Sequence, residues 1–291
     1  PLNQVAQLLE LPGIRAIEVD RPLGTNMDKA RIKTRTDSVH QGINLPQAYQ
    51  GKDVVIGIID AGFDYSHPSV YDSSYTQLRL KSVWEQKTLG NPPSNFSFGA
   101  AFTDSASIIN KAYDVVDFSH GAHVAGIAGG SGYQSPSTNV EQYRGMAPQS
   151  DLVFVGIMPD QDMWLNTGMT DLVDGIQFIF DYAQSVGKPA VANLSWGNPI
   201  GAHDGNSLFA QAVDNLTGPG KIFTLSAGNN GGKKVHLNKT FSALDTVLGT
   251  LIGFHGSLPT KSNWVDIWGD SIQDICVEFS LYSGLSSLTT T

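Results

Sequence analysis

Cysteine is almost missing from this chain: a single residue, Cys276, occurs among 291. A lone thiol forms no intramolecular disulfide, so a cross-linked scaffold is excluded; a cytosolic protein and a cysteine-poor bacterial exported one both remain open. Long apolar stretches are absent too. No run reaches the roughly 18 residues needed to cross a bilayer, so no membrane span is expected. Positive charge is in deficit: 18 Lys and Arg against 27 Asp and Glu leave a net charge of −9. That sign opposes binding to a phosphate backbone, which depends on counterion release by a basic surface. Residues 1–10 show no basic segment followed by an apolar one, so no signal peptide is legible. The chain begins at Pro1 rather than Met, which reads as a trimmed start.

What is present is globular. A hydrophobic fraction of 41% with 31 glycines and only 15% charge gives a core threaded by many turns, not a disordered chain. The length allows one large α/β domain or a domain with appendages. Residues 1–24 read as a short helix, with Val5, Leu8 and Leu9 on one face, a break at Pro12-Gly13 and a strand around Ile14 to Val19. Residues 25–45 are polar and irregular; Lys29, Arg31, Lys33 and Arg35 alternate with uncharged residues, as in a solvated linker.

From residue 46 to 232 the texture is α/β. Val54 to Ile59 is a continuous β-branched run of the kind a parallel strand buried on both faces requires, and Leu152 to Val155 is another. A helix follows with Leu172, Ile176, Ile179 and Phe180 at helical spacing. Strands over Val191–Ser195 and Ile222–Ser226 flank a helix across Leu208–Leu216. Alternating strands and helices predict a parallel sheet with right-handed crossovers. Residues 233–291 change character: Val247–Phe254, Trp264–Trp268 and Ile275–Leu281 are strand-like with no helical pattern between them, so a β-rich insertion or second unit is expected.

Three segments carry candidate chemistry. Asp60 ends the first apolar strand, and catalytic groups in open parallel sheets gather beyond strand carboxyl ends; a turn-capping aspartate is the structural alternative. His120 and His123, in Ser119-His120-Gly121-Ala122-His123, stand at a loop-to-helix junction three residues apart. Zinc would need a third ligand and commonly a Glu between the two, where Gly121 and Ala122 stand instead, so no metal is assigned. Leu225 to Gly232 ends a buried strand in small residues and two amides, of which Asn229 can donate to a developing oxyanion. A carboxylate to orient an imidazole, an imidazole to take a hydroxyl proton and a placed amide donor are the parts a serine hydrolase needs beside its nucleophile. No Gly-x-Gly-x-x-Gly or Walker pattern follows the first strand, which argues against a nucleotide-binding protein.

In that order these segments resemble the subtilisin-like serine endopeptidases. Ile58-Ile59-Asp60-Ala61-Gly62, with Asp64 and His67-Pro68, is similar to the family's aspartate box. His120 to Gly126 is similar to its histidine box, and Gly145-Met146-Ala147-Pro148 to the segment after it. Asn193-Leu194-Ser195-Trp196-Gly197 resembles the substrate-binding strand, and Ala227-Gly228-Asn229 the oxyanion box. The resemblance implies a subtilisin-like sheet with helices on both faces, and an activity of peptide-bond hydrolysis. It implies catalytic roles for Asp60, His120 and Asn229. It also implies a polypeptide substrate bound along Ser195, Trp196 and Gly197 and beside Ser226, Ala227 and Gly228. Leu11 to Glu18 resembles the end of an inhibitory propeptide, which makes residues 1–24 a propeptide remnant and places a processing site in the linker. Trp84, Glu85 and Asp266-Ile267-Trp268-Gly269 resemble the clostridial spore-germination and gut-bacterial branch, in which a jelly-roll-like insert precedes the serine box.

The sequence departs from the pattern at its most important point. No Gly-Thr-Ser occurs anywhere in it; Ser257 and Ser283 adjoin glycines but lie in no helix start, and both read as loop or strand serines. The expectation is a nucleophile beyond Thr291, hence a chain inactive alone, with a non-catalytic scaffold that binds a protein or signal molecule as the competing reading. Ala61 and Ala122 stand where hydroxyl residues are usual. No cofactor is required by such chemistry. A structural calcium fits the family but has no evident site, since no Asp-x-Asp-x-Asp loop is present and Asp72 and Asp104 read as solvated surface. The expected location is bacterial, secreted or in the cell envelope.

Overall fold

The computed structural model describes residues 30–116, 118–133, 143–157, 167–197, 200–233, 235–252, 265–269, 274–283 and 286–290. Along the chain run α1 (Ala30–Lys33), α2 (Thr36–His40), β1 (Val55–Asp60), β2 (Leu80–Glu85), β3 (Ala100–Phe102), α3 (Ser105–Lys111), α4 (His120–Gly129), β4 (Asp151–Gly156), α5 (Met169–Ser185), β5 (Ala190–Leu194), α6 (Leu208–Leu216), β6 (Lys221–Leu225), β7 (Phe279–Ser283) and β8 (Ser286–Thr290). The expected helix, break and strand of residues 1–24 lie outside the described residues, as do Phe254 and Trp264.

Among the described residues the main sheet has six strands in the order β3-β2-β4-β1-β5-β6. β1 lies between β4 and β5 and is parallel to both; β2 and β6 continue the parallel arrangement outward, and only the edge strand β3 is antiparallel. Side chains alternate across a strand, and the apolar residues use both directions. Val55, Ile59, Val153 and Val155 join Leu172, Ile176, Ile179 and Phe180 of α5 in one core. Ile58, Leu152 and Phe154 join Ile108 of α3 and Ala125 of α4 in the other. The sheet is therefore covered by helices on both faces, as the strand pattern implied.

β2 escapes a reading of hydrophobic periodicity for a physical reason. Ser82 and Glu85 are buried in β2, so the strand does not look apolar. Glu85 tolerates burial because Lys111 lies 3.2 Å from its carboxylate, Tyr65 donates a hydroxyl hydrogen bond at 3.1 Å and Thr88 another at 2.6 Å.

Arg79 is the main polar fastener. Only 6% exposed, it donates to the carbonyls of Tyr71, Ser150, Ser69 and Gly129 at 2.6–2.9 Å. Burial lowers its pKa to about 10, which leaves it charged at neutral pH. Gly129 ends α4, so a cation meets a helix carboxyl terminus where the dipole favours it.

Residues 30–45 differ from the irregular solvated stretch expected. They contain α1 and α2, and Arg31 and His40 are buried. Arg31 is 3.5 Å from Asp37, and His40 donates from Nε2 to the carbonyl of Met146 at 2.7 Å, across 106 residues of sequence. Long-range contact of this kind is invisible to charge patterning. The stretch 233–291 also departs from expectation in detail. Its described regular strands are the antiparallel pair β7 and β8, whereas residues 247–252 and 265–269 form no strand, with Val247 and Leu251 74% and 89% exposed. Apolar exposure extends to α6 and β6, where Leu208, Ile222 and Leu225 face outward, so β6 is not the buried strand that its apolar run implied.

His40 makes a prediction about pH. Its Nδ1 is buried without a hydrogen-bond partner; burial lowers its pKa from 6.5, and the charges of Arg144 and Arg31 add to that, against the Met146 contact and Asp37. The unfolded chain thus takes up this proton at a higher pH than the folded one, so stability falls as pH drops below 6.5. Urea midpoints measured from pH 7.5 downward should show that loss, and His40→Gln, which keeps a donor for Met146 but cannot titrate, should flatten it. An identical slope in the variant contradicts the assignment.

Candidate active site

The site is assembled where β1 ends and α4 begins. Asp60 is the last residue of β1 and has no exposed surface. Strand register then sets its neighbours. Ile59 pairs with Leu194 and Leu194 with Leu225, so the next residues on β1, β5 and β6 are Asp60, Ser195 and Ser226, in one row at the same end of the sheet.

The first N–H groups of a helix have no partner within it. In α4 two of them are satisfied by the turn that leaves β1: Gly121 and Ala122 donate to the carbonyls of Ala61 and Gly62 at 2.6 and 2.9 Å. This seam needs two glycines. A Cβ on Gly121 would lie 2.9 Å from both the Ala61 oxygen and the Phe63 ring. Gly62 has φ +80°, and a Cβ there would come within 2.7 Å of Phe118.

The consequence is that His120 and Asp60, 60 residues apart, meet with Nδ1 and Oδ1 at 2.8 Å. An ionised carboxylate only accepts, so the imidazole proton lies on Nδ1 and Nε2 is left as the basic nitrogen. The histidine side chain is 43% exposed and the aspartate side chain not at all. The imidazole therefore reaches solvent while the carboxylate stays hidden. Burial raises the pKa of Asp60 above the ordinary aspartate value. The His120 contact, the Ala61 amide at 2.7 Å and the Trp196 indole N–H, which faces the carboxylate, pull it partway back.

Trp196 packs edge-on against the His120 ring, with centroids 5.7 Å apart and planes at 64°, and Phe118 lies 6.3 Å from it nearly parallel. Trp196, expected along a substrate strand, thus also adjoins the pair itself. Ser195 accepts a hydrogen bond from the Asn193 side chain at 3.0 Å, and the Ser226 amide donates to Leu194 at 3.1 Å. These contacts hold the two strand ends on which Gly197, Ala227, Gly228 and Asn229 follow. Gly228 has φ +84°, and Asn229 is exposed. Among the described residues, no hydrogen bond joins Asn229 to Asp60 or His120. His123 faces solvent, and no group of three His, Cys, Asp or Glu side chains converges among the described residues. Asp72 and Asp104 are engaged with Thr76 and Ser107 in local turns.

One residue of the site is missed by sequence reasoning. Asp114 holds the turn after Asp60 by its backbone, and nothing in Tyr113-Asp114-Val115 signals a contact made 52 residues away.

The seam predicts an inverted sign for a common substitution. Glycine to alanine inside a helix ordinarily gains about 1 kcal/mol. Gly121→Ala should instead lose about 1–3 kcal/mol through overpacking against Ala61 and Phe63. Urea denaturation of the two proteins checks this; a stabilised variant would mean the seam is looser than described.

Comparison with known proteins supplies the context. Residues 51–253 match the family model described as Subtilase family. The PI-type proteinase of Lactococcus lactis subsp. cremoris is 26% identical over 234 residues, which are 78% of this chain and 12% of that protein. The serine protease AprX of Bacillus subtilis (strain 168) is 25% identical over 230 residues, 77% of this chain and 43% of that protein. Among solved structures, the CspB protease of Clostridium perfringens superposes with a TM-score of 0.52 at 24% identity over 68% of this chain and 40% of the other. The chain thus spans less than half the length of these relatives.

Proposed function

Because the chain belongs to the Subtilase family, we propose that the Asp60–His120 pair is the acid–base half of a serine endopeptidase centre that hydrolyses peptide bonds. The single observation behind this reading is the 2.8 Å contact between a fully buried carboxylate and a half-exposed imidazole at the head of a helix. With its Nδ1 proton held by Asp60, His120 takes the serine proton on Nε2 as oxygen attacks the carbonyl carbon, and the imidazolium formed is stabilised by Asp60. The same proton then passes to the amine as the carbon–nitrogen bond breaks.

The tetrahedral oxygen receives a hydrogen bond from the carboxamide of Asn229. An extended substrate lies along the main chain of Ser195, Trp196 and Gly197, adding as a further strand, and Ser226, Ala227 and Gly228 border the side chain next to the scissile bond. The nucleophile is a serine of the Gly-Thr-Ser kind, which these 291 residues lack, so hydrolysis belongs to the whole protein. The other elements of the proposal are an inhibitory propeptide as partner, a location outside the cytoplasm, and chemistry that needs no metal. No described helix is long and apolar enough to cross a membrane.

A fluorophosphonate probe tests the reading on the complete gene product. Labelling should occur and should be abolished by His120→Ala, while the 291-residue chain alone stays unlabelled. Asn229→Ala should lower kcat by about 10²–10³ with little change in KM. Absence of labelling in the complete product would favour the non-catalytic scaffold instead.

A further inference from the structure

Asp114 lies six residues before His120 and belongs to none of the motif segments. Its oxygens accept three backbone N–H bonds. Oδ2 takes Gly62 at 3.1 Å, and Oδ1 takes Phe63 at 2.6 Å and Val115 at 2.8 Å. Two of these donors are in the turn that carries the chain out of β1, immediately after Asp60. The same turn turns its carbonyls the other way: Ala61 and Gly62 accept the first-turn amides of α4. One carboxylate therefore fixes the amide side of a turn whose carbonyl side seats the helix bearing His120.

Ala61 and Gly62 carry no polar side chain, and apart from the bond from the Ala61 amide to Asp60 the side-chain support of the turn's amides comes from Asp114. Were Asp114 removed, the Gly62 and Phe63 amides would be left in a largely desolvated place without acceptors, and the turn would rotate to find them. Any such rotation moves Asp60 on one side and α4 on the other.

The geometry points to Asp114 as a positioning residue that holds the Ala61–Phe63 turn so that Asp60 and His120 keep their contact. This role rests on the proteolytic reading of that pair. Three acceptor contacts require an ionised or readily ionised carboxylate. Burial, with the charge of Glu85 acting in the same direction, pushes the Asp114 pKa up to about 7 against the pull of its three amides. The groups that face it are Glu85 of β2, which is itself paired with Lys111 of α3, and Tyr65.

The test uses the complete gene product. Asp114→Asn keeps the shape but sets an NH2 group against a backbone N–H. Its kcat should fall by about 10²-fold while KM stays within about twofold. The downfield Nδ1 proton resonance of His120 should disappear. A folded Asp114→Asn protein with unchanged kcat and resonance overturns the role. Should that variant not fold, the unmodified protein decides by NMR titration. The amide protons of Gly62, Phe63 and Val115 and the His120 Nδ1 proton should then show a shared step near pH 7, which Glu85→Gln moves downward. A His120 signal that shows no step where those amides do overturns the proposal. Fluorophosphonate labelling separates the two levels. If His120→Ala is labelled like the unmodified protein, the reading of the pair fails. If His120→Ala is unlabelled but Asp114→Asn reacts at the full rate, only the positioning role fails.

Discussion

Two backbone hydrogen bonds, from Gly121 and Ala122 of α4 to Ala61 and Gly62 after β1, are the constraint on which the site depends. They fuse the exit of the central strand to the head of a helix more than 50 residues later in the chain. Everything chemically notable is arranged around that fusion. Asp60 stands one residue before it and His120 one residue before its helical half, so the two side chains have no choice but to meet. The glycines at 62 and 121 are there because the fusion leaves no room for a Cβ.

Burial then divides the labour between charges. Asp60 is wholly enclosed and Asp114 largely so, and both are pushed toward their neutral forms by the surroundings. Each is drawn back by donors that favour the anion: a ring nitrogen, an amide and an indole for the first, three amides for the second. The outcome is a pair of carboxylates that differ in what they hold. One orients a side chain and the other orients backbone. Such a division resists simple exchange, because an amide in place of either oxygen pair would confront a donor with a donor.

The sequence conveyed the central sheet well because the determining signals are local. The β-branched run at Val54–Ile59, the helical spacing of Leu172, Ile176 and Ile179, and the boundaries of the helix at Leu208–Leu216 each lie within one element. The meeting of Asp60 and His120 could be anticipated because both stand at element ends inside distinctive motifs. What stayed hidden depends on distant partners. Glu85 makes β2 look polar until Lys111 and Tyr65 are seen beside it. Arg31 and His40 look like solvent-facing linker residues until Asp37 is found beside the first and the Met146 carbonyl beside the second. Trp196 reads as a strand residue until its ring is found against His120. Asp114 carries no pattern at all, since its significance is the proximity of a turn 52 residues earlier.

The Arg79 fastener has a bearing on motion. α4 is pinned at its head by the strand turn and at its tail by a guanidinium that also binds two other segments, one through Ser69 and Tyr71 and one through Ser150. Hydrogen bonds at both ends oppose sliding or tilting of the helix and leave the imidazole its torsional freedom about its own side-chain bonds. Room to adjust is thereby left to the chain following β5 and β6, where among the described residues a Cβ on Gly197 or Gly228 would meet nothing within 4 Å.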